Sequence, residues 1–194
     1  MQRSDRRMER IRTVLRHRRP DLTVVLENIH DPHNVSAILR TCDAVGVPRV
    51  ELLYSTEQFP DLGGKSASSG EKWVERRKHR SVDDCYRFLR SEGFLICATY
   101  LDGQSSSLFE LDLTKKTALV FGNEHRGVSD EAAGKADVRF RIPMEGMSES
   151  LNVSVACAVV LYEAFRQRDA ASDALHAGLS DAEMQRLFDE WTRR

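Results

Sequence analysis

The chain has 194 residues, of which 41% are hydrophobic and 30% are charged, and 29 lysines and arginines nearly balance 30 aspartates and glutamates for a net charge of −1. This composition predicts one globular domain with its own core and excludes a disordered, highly charged chain. The cysteines at positions 42, 85, 97 and 157 form no C-x-x-C pair and no cluster with histidine. We therefore expect no metal site and no disulfide framework, and we expect a reducing cytoplasm.

The N-terminal segment, residues 1–19, is strongly basic, with eight arginines against two acidic residues. Met8, Ile11 and Leu15 recur at spacings of three and four, which predicts an amphipathic helix with one apolar side. Its arginines could form a solvated face or an arm that binds phosphate. We favour the arm, because solvated faces usually mix both signs of charge. No secretory signal is expected here, and the most apolar helix, 153–162, is too short to span a membrane.

Short apolar runs alternate with helical patterns through the rest of the chain. This rhythm is typical of an α/β domain with a mainly parallel sheet and helices on its faces. Strands are predicted at 22–26, 49–54, 94–100, 117–121 and 138–142, and helices from Asn34 to Gly46 and at 81–92, 129–135, 151–167 and 180–192. We divide the chain into a basic helical extension (1–19), the α/β domain (20–168) and a C-terminal helical extension (169–194).

Two segments have no clear periodicity. Residues 55–70 are rich in glycine and serine and are predicted to form a mobile loop. Residues 72–80 are basic and include Trp73, which could stack on a base but is expected to pack instead, since tryptophans are well buried on average. The last helix, 180–192, carries apolar residues at helical spacing and is predicted to pack or to mediate dimerisation.

Three polar segments, 27–41, 121–129 and 142–154, each follow a predicted strand. Open parallel sheets bind their ligands at this carboxyl edge. None of the three contains G-x-G-x-x-G or G-x-x-x-x-G-K-[ST], so neither an ordinary dinucleotide fold nor a P-loop nucleotide triphosphatase is expected.

These segments contain, in order, N-x-S-A-I-L-R-T, L-V-F-G-N-E-x-R-G and I-P-M-x-G-x-x-x-S-L-N-V-S-x-A. The set resembles the three motifs of the SpoU/TrmH family of RNA 2′-O-ribose methyltransferases, which belongs to the SPOUT class. The resemblance covers about residues 22–165. It implies a C-terminal trefoil knot, the cofactor S-adenosylmethionine, a homodimer, and methyl transfer to a ribose 2′-hydroxyl. The short extensions favour tRNA, with the D-loop guanosine at position 18 as the expected target.

The same resemblance implies the catalytic residues. Arg40 matches the family's catalytic arginine, although a guanidinium is a poor base, and we expect it to clamp a phosphate and orient the hydroxyl. Asn34 is either a helix cap or a residue that holds Arg40 or the ribose. Glu124 is expected to orient Arg40 or the positively charged end of the cofactor, and Asn152 to contact cofactor or substrate.

Further residues are implied around the cofactor and the RNA. The cofactor set is Thr99, Gly122, Glu124, Ile142, Met144, Ser150, Leu151 and Asn152, and the RNA set is Arg6, Arg7, Arg10, Arg18, His33, Arg166 and Arg168. For Ser150 and Asn152, capping of the next helix is an alternative role. His30 and His33 lack the carboxylate or thiolate of a metal site and are expected to be loop or RNA-contacting residues.

Three alternatives to this function stay open. The substrate could be another RNA, such as a tRNA wobble nucleotide or ribosomal RNA. The chain could instead be an RNA-binding module without catalysis, which the presence of Arg40, Glu124 and Asn152 argues against. Methylation of a small molecule is the third, and it conflicts with the basic arm. The helix 153–165 is apolar on more than one side, as expected of a buried or interface helix.

Overall fold

The computed structural model describes residues 3–59, 72–171 and 178–194. A seven-stranded sheet lies at its centre, in the order β3-β2-β1-β6-β4-β7-β5, and all its neighbouring strands are parallel. The strands are β1 (Leu22–Glu27), β2 (Arg49–Leu53), β3 (Glu75–His79), β4 (Leu95–Thr99), β5 (Ser106–Ser107), β6 (Thr117–Phe121) and β7 (Val138–Arg141). The helices are α1 (Arg3–Arg16), α2 (Pro32–Ala44), α3 (Val82–Ser91), α4 (Asp130–Lys135), α5 (Val153–Ala170) and α6 (Asp181–Arg193). The predicted α/β class with a parallel sheet is confirmed.

Helices cover the two faces of the sheet. On one face, Val24 and Leu26 of the central strand β1 share a core with side chains of α2 and α5. These helices contribute Ile38, Leu39, Val160 and Leu161 to that core. The opposite face packs against α3 and α4. Because β1 and β6 are buried along their whole length, they are mostly apolar runs without alternation, as parallel strands covered on both faces should be.

The five predicted strands are confirmed, and two further strands, β3 and β5, have no signal in the sequence. β3 has the sequence Glu-Arg-Arg-Lys-His and lacks an apolar pattern. It is held by its parallel register with β2 at the edge of the sheet, where charged residues on a strand are common. β5 has only two residues, too few for any periodic signal.

The predicted helix starts are mostly confirmed. Ser81, Ser129 and Ser180 are N-caps, and each side chain accepts a hydrogen bond from a backbone N–H of the first turn. The prediction that Asn34 caps α2 is wrong. Asp31 is the N-cap and accepts from the His33 N–H, and Pro32 suits the first helical position because it has no backbone N–H to satisfy.

The two terminal helices pack against each other. Ile11 and Leu15 of α1 are buried with Leu187 and Trp191 of α6, so the predicted apolar side of α1 is confirmed. Trp73 is also confirmed as a packing residue, since its ring centre lies 4.8 Å from that of Trp191. Most of the predicted loop 55–70 lies outside the described residues. Among the helices that are described, none is long and apolar enough to cross a membrane.

Candidate functional site

Two loops meet at the carboxyl edge of the sheet, because β1 and β6 are parallel neighbours. The first loop joins β1 to α2 and the second joins β6 to α4. Glu27, the last residue of β1, is buried, and its carboxylate accepts hydrogen bonds from the Ser129 N–H at 2.9 Å and the Ser129 hydroxyl at 2.5 Å. The base of the first loop is thereby fixed to the far end of the second.

Asn28 connects these loops to a third one. Its backbone has a positive φ of 50°, and its side-chain oxygen accepts from the N–H groups of residues 55, 56 and 57 after β2. Its carbonyl accepts a 2.8 Å hydrogen bond from the side chain of Asn123. Asparagine tolerates this left-handed conformation better than most residues do. One residue therefore holds three loops in a fixed arrangement.

Glu124 binds the first loop through both carboxylate oxygens. One accepts from the His30 N–H at 3.0 Å, and the other accepts from the Asp31 N–H at 3.2 Å and from the Asn34 side chain at 2.9 Å. Partial burial raises the pKa of Glu124, but the hydrogen bonds from Asn34 and the backbone N–H groups outweigh burial, so the pKa lies below its ordinary value. Glu124 is a fixed carboxylate.

The third predicted segment joins the same network. Asn152 caps α5 through the Ser154 N–H and also donates a 3.1 Å hydrogen bond to the Asn34 side-chain oxygen. Asn34 thus receives a donor from Asn152 and gives one to Glu124. The structure brings together three of the four predicted catalytic residues. The capping role of Asn152 is confirmed, and its contact with cofactor or substrate stays a prediction.

Two glycines shape the second loop. Gly127 has a φ of +69°, and its N–H donates to the Asn123 carbonyl to close a tight turn. A Cβ at Gly122 would lie 2.0 Å from the backbone carbon of Gly127, so no residue larger than glycine fits at position 122 in this conformation. Such a close return lets a ligand approach the backbone of the turn.

The segment after β7 offers backbone groups. Residues 143–150 form no helix or strand, and no hydrogen bond joins their backbone to the backbone of another described residue. Free N–H and C=O groups of this kind can bind the edge of an aromatic base. In the same segment Ile142 and Met144 are half-buried, Ser150 is exposed and Leu151 is 37% exposed. Thr99 lies at the end of the neighbouring strand β4, where its hydroxyl donates to the Val120 carbonyl. The predicted cofactor set therefore lies on neighbouring segments.

Arg40 lies apart from this network. It is exposed on α2, and within the described part of the chain it forms no hydrogen bond or ion pair. The expectation that Glu124 or Asn34 holds Arg40 is not met, because both are bonded to one another and to neighbouring loop residues. The guanidinium is accordingly available to an anionic ligand.

The predicted RNA residues fall into two groups. The residues of the first group are all exposed: Arg6, Arg7, Arg10, His33 and Arg166. Arg7 also donates to the Trp191 carbonyl at 3.2 Å, and Arg166 forms an ion pair with Glu163. For these five an RNA contact stays a prediction.

The predictions for Arg18 and Arg168 are wrong. The Arg18 side chain is 1% exposed and donates to Asp43 at 2.6 Å. Arg168 pairs with Asp21 and donates to the Leu113 and Lys115 carbonyls. Both arginines are buried in the fold, where they satisfy carboxylate and carbonyl oxygens and cannot reach a phosphate.

One side of α5 is apolar and exposed. Val155, Val159 and Tyr162, spaced at i, i+4 and i+7, are 48%, 37% and 55% exposed. Apolar residues grouped in this way usually mark an interface. Among the described residues no group of three histidine, cysteine, aspartate or glutamate side chains could hold a metal ion.

Several site residues have only a weak local signal in the sequence. Asn28, Asp31 and Asn123 fix the loops through hydrogen bonds to one another's segments. Only their position points to them, since each follows a strand or precedes a helix. A hydrogen bond such as that between Asn123 and Asn28, which are 95 positions apart, leaves no local pattern.

Fold and site are those of an α/β protein whose candidate ligand site lies at the carboxyl edge of a parallel sheet. The model of the SpoU rRNA Methylase family matches residues 21–162. The chain belongs to this family.

Relatives match the chain over nearly its whole length. A tRNA (guanosine(18)-2′-O)-methyltransferase of Thermus thermophilus is 47% identical over 199 aligned positions, covering 100% of this chain and 99% of the relative. The Escherichia coli K12 protein of the same name is 43% identical, covering 95% and 81%.

Solved structures agree with the family. The TrmH/SpoU tRNA modifying enzyme of A. aeolicus has a TM-score of 0.86 at 39% identity, covering 98% of this chain and 96% of that one. The SpoU methyltransferase AviRb from Streptomyces viridochromogenes, solved in complex with the cofactor AdoMet, has a TM-score of 0.68 at 26% identity, covering 82% and 62%.

Proposed function

We propose that this chain transfers a methyl group from S-adenosylmethionine to the ribose 2′-hydroxyl of the D-loop guanosine at position 18 of tRNA. The observation that carries the proposal is the end-to-end match to a relative of that name, which includes both helical extensions. In this role the chain works in the cytoplasm, where tRNA is used.

The donor set at the carboxyl edge fits this cofactor. The backbone groups at 143–150 bond to no other described backbone group and suit an adenine edge. Half-buried Ile142 and Met144 suit the faces of the adenine, and the close turn at Gly122 lets a ligand approach the backbone. When bound, S-adenosylmethionine supplies a methyl group on a positively charged sulfur. In the transfer that it would support, the carbon–sulfur bond would break as the 2′-oxygen bonds to the carbon. The sulfur would keep the electron pair and become neutral, and the hydroxyl proton would pass to water.

The residues of this chain position the reactants. Glu124 fixes the side chain of Asn34, and Asn34 accepts a hydrogen bond from Asn152 at the start of α5. The two amide side chains are held in place there as polar contacts for the ribose or the cofactor. Exposed Arg40 binds the phosphate next to the ribose and orients the hydroxyl. Positioning of this kind dominates in an in-line displacement that neutralises charge.

The partner in the assembly is a second copy of the chain. Val155, Val159 and Tyr162 of α5 form its contact, close to Asn152 at the start of the same helix. The resemblance also implies a C-terminal trefoil knot. An experimental density map of the whole chain tests the knot.

The test of the function is transfer of labelled methyl to unmodified tRNA transcripts, with the product nucleotide mapped by digestion and mass spectrometry. We expect 2′-O-methylguanosine at position 18 and its loss when that guanosine is replaced. Methylation of a wobble nucleotide or of ribosomal RNA would contradict the assigned substrate.

A second measurement tests Arg40. An Arg40→Lys variant keeps the charge and loses the two-pronged donor geometry, so we expect a large fall in rate with unchanged binding of S-adenosylmethionine. A variant that keeps most of its rate would overturn the phosphate-clamp role.

A further inference from the structure

The edge strand β3 and the residue after it carry a row of cations on one side. Arg76, Lys78 and Arg80 alternate along the chain and are all exposed, and we call them the β3 cation row. Arg76 is in register with Val50, and Lys78 with Leu52. Val50 and Leu52 belong to the core under α2, so the row lies on the face of the sheet that α2 covers. Arg40 is exposed on that same helix.

On the opposite side of β3 the basic side chains have partners. There, His79 bonds to Glu51 and Asp84, and the guanidinium of Arg77 lies 3.9 Å from the ring centre of Phe88. No member of the row forms an ion pair with a described carboxylate. Three like charges that have no carboxylate partner among the described residues attract a polyanion.

Contacts connect the row to the site. Lys78 and Arg80 lie 4.7 Å and 4.2 Å from the ring centre of Phe59, which lies 5.2 Å from the ring centre of Tyr54. The Tyr54 hydroxyl donates to the carbonyl of Ile29 in the first site loop. Arg80 also follows the carboxyl end of β3, and the site is at the carboxyl ends of β1 and β6.

We propose that the β3 cation row binds the phosphate backbone of the substrate RNA beside the nucleotide that is methylated. This inference rests on the proposed function and adds a surface that the N-terminal arm does not include. Lysines and arginines on edge strands can also prevent pairing with other sheets. A row without any acidic member, on the side of Arg40 and next to the first site loop, favours RNA.

The test compares two variants that lose the same charge. K78Q/R80Q alters the row, and K115Q/K116Q alters two exposed lysines just before β6, at the opposite edge from the site. Binding of unmodified tRNA is measured across a range of salt concentrations. Each lost phosphate contact lowers the slope of log affinity against log salt by about 0.9 for a duplex and about 0.7 for a single strand.

We expect the row variant to bind tRNA about tenfold more weakly at moderate salt, with a slope smaller by roughly 1 to 2. Its KM for tRNA rises while kcat and the affinity for S-adenosylmethionine are retained. K115Q/K116Q behaves as the wild type. If the double variant fails to fold, the single variants K78Q and R80Q replace it, each with an expected slope change of about 1.

An unchanged slope and affinity in the folded row variant overturn the proposal. Unchanged RNA binding with new self-association, detected by light scattering, overturns it in favour of edge protection. Wild-type chain that binds tRNA without methylating position 18 contradicts the proposed function but leaves the salt test valid. Wild-type chain that does not bind tRNA overturns both.

Discussion

The side chain of Asn152 donates a 3.1 Å hydrogen bond to the side chain of Asn34, and so joins two segments that lie 118 positions apart. The amide nitrogen of Asn34 in turn donates a hydrogen bond to the carboxylate of Glu124. An amide is suited to this position because it accepts through oxygen and donates through nitrogen at the same time. The three motifs are therefore one hydrogen-bonded unit.

Replacing Asn34 by alanine tests this unit. The variant removes the acceptor of the Asn152 amide and one of the two donors to a Glu124 oxygen. We expect the methylation rate to fall by about 100-fold through misplacement of the reactants. Affinity for S-adenosylmethionine and the thermal midpoint are measured beside the rate. Gln185→Ala is the matched control, since Gln185 gives its amide to Asp189 on the surface of α6. Equal rates in the two variants would contradict the role of Asn34.

The parts of this unit are more predictable from the sequence than their connections are. Asn34, Glu124 and Asn152 follow strands or precede helices, and parallel topology alone brings such positions to one edge. The cap of α2 is also a local feature, because Pro32 at the first helical position favours Asp31 over Asn34.

Burial of charged residues is harder to predict. Arg18 and Arg168 have the same local signal as the exposed arginines near them, since all lie in basic segments. What distinguishes them is a carboxylate partner, Asp43 or Asp21, that is distant in sequence. Local patterns contain no information on such partners.

Gly122→Ala tests the close turn of the second loop. The new methyl group would lie 2.0 Å from the backbone of Gly127, so the loop must shift, and we expect a loss of about 1–3 kcal/mol in unfolding free energy. Weaker binding of S-adenosylmethionine should accompany it in calorimetry. Gly134→Ala is the control, because a Cβ there meets nothing within 4 Å and a helical alanine should add about 0.5 kcal/mol. Wild-type cofactor affinity in Gly122→Ala would separate this turn from the cofactor site.

Arg168 and Arg166 provide a matched pair on α5. Arg168 is buried against Asp21 and backbone carbonyls, and its loss leaves a carboxylate without its charge partner. We expect Arg168→Ala to lower the free energy of unfolding in urea by about 3–5 kcal/mol. Arg166→Ala removes an exposed pair with Glu163 and should leave stability nearly unchanged. Similar stability of both variants would contradict the structural role given to Arg168.

His79 makes stability depend on pH. Burial lowers its pKa, but the hydrogen bonds to Glu51 and Asp84 and the charges of both carboxylates outweigh burial, so the pKa is raised above 6.5. Glu51 also accepts from Arg49 on β2, while Phe88 of α3 lies against the imidazole ring.

A raised pKa in the folded state means that the folded chain holds the proton more tightly than the unfolded chain does. The resulting stabilisation is complete below the unfolded pKa of about 6.5 and is lost as the pH rises through the folded pKa. We expect urea unfolding of the wild type to show this loss and His79→Gln to lack it. His17→Gln, at an exposed histidine of the N-terminal region, should keep the wild-type dependence. The same pH profile in His79→Gln as in the wild type would rule out His79 as its source.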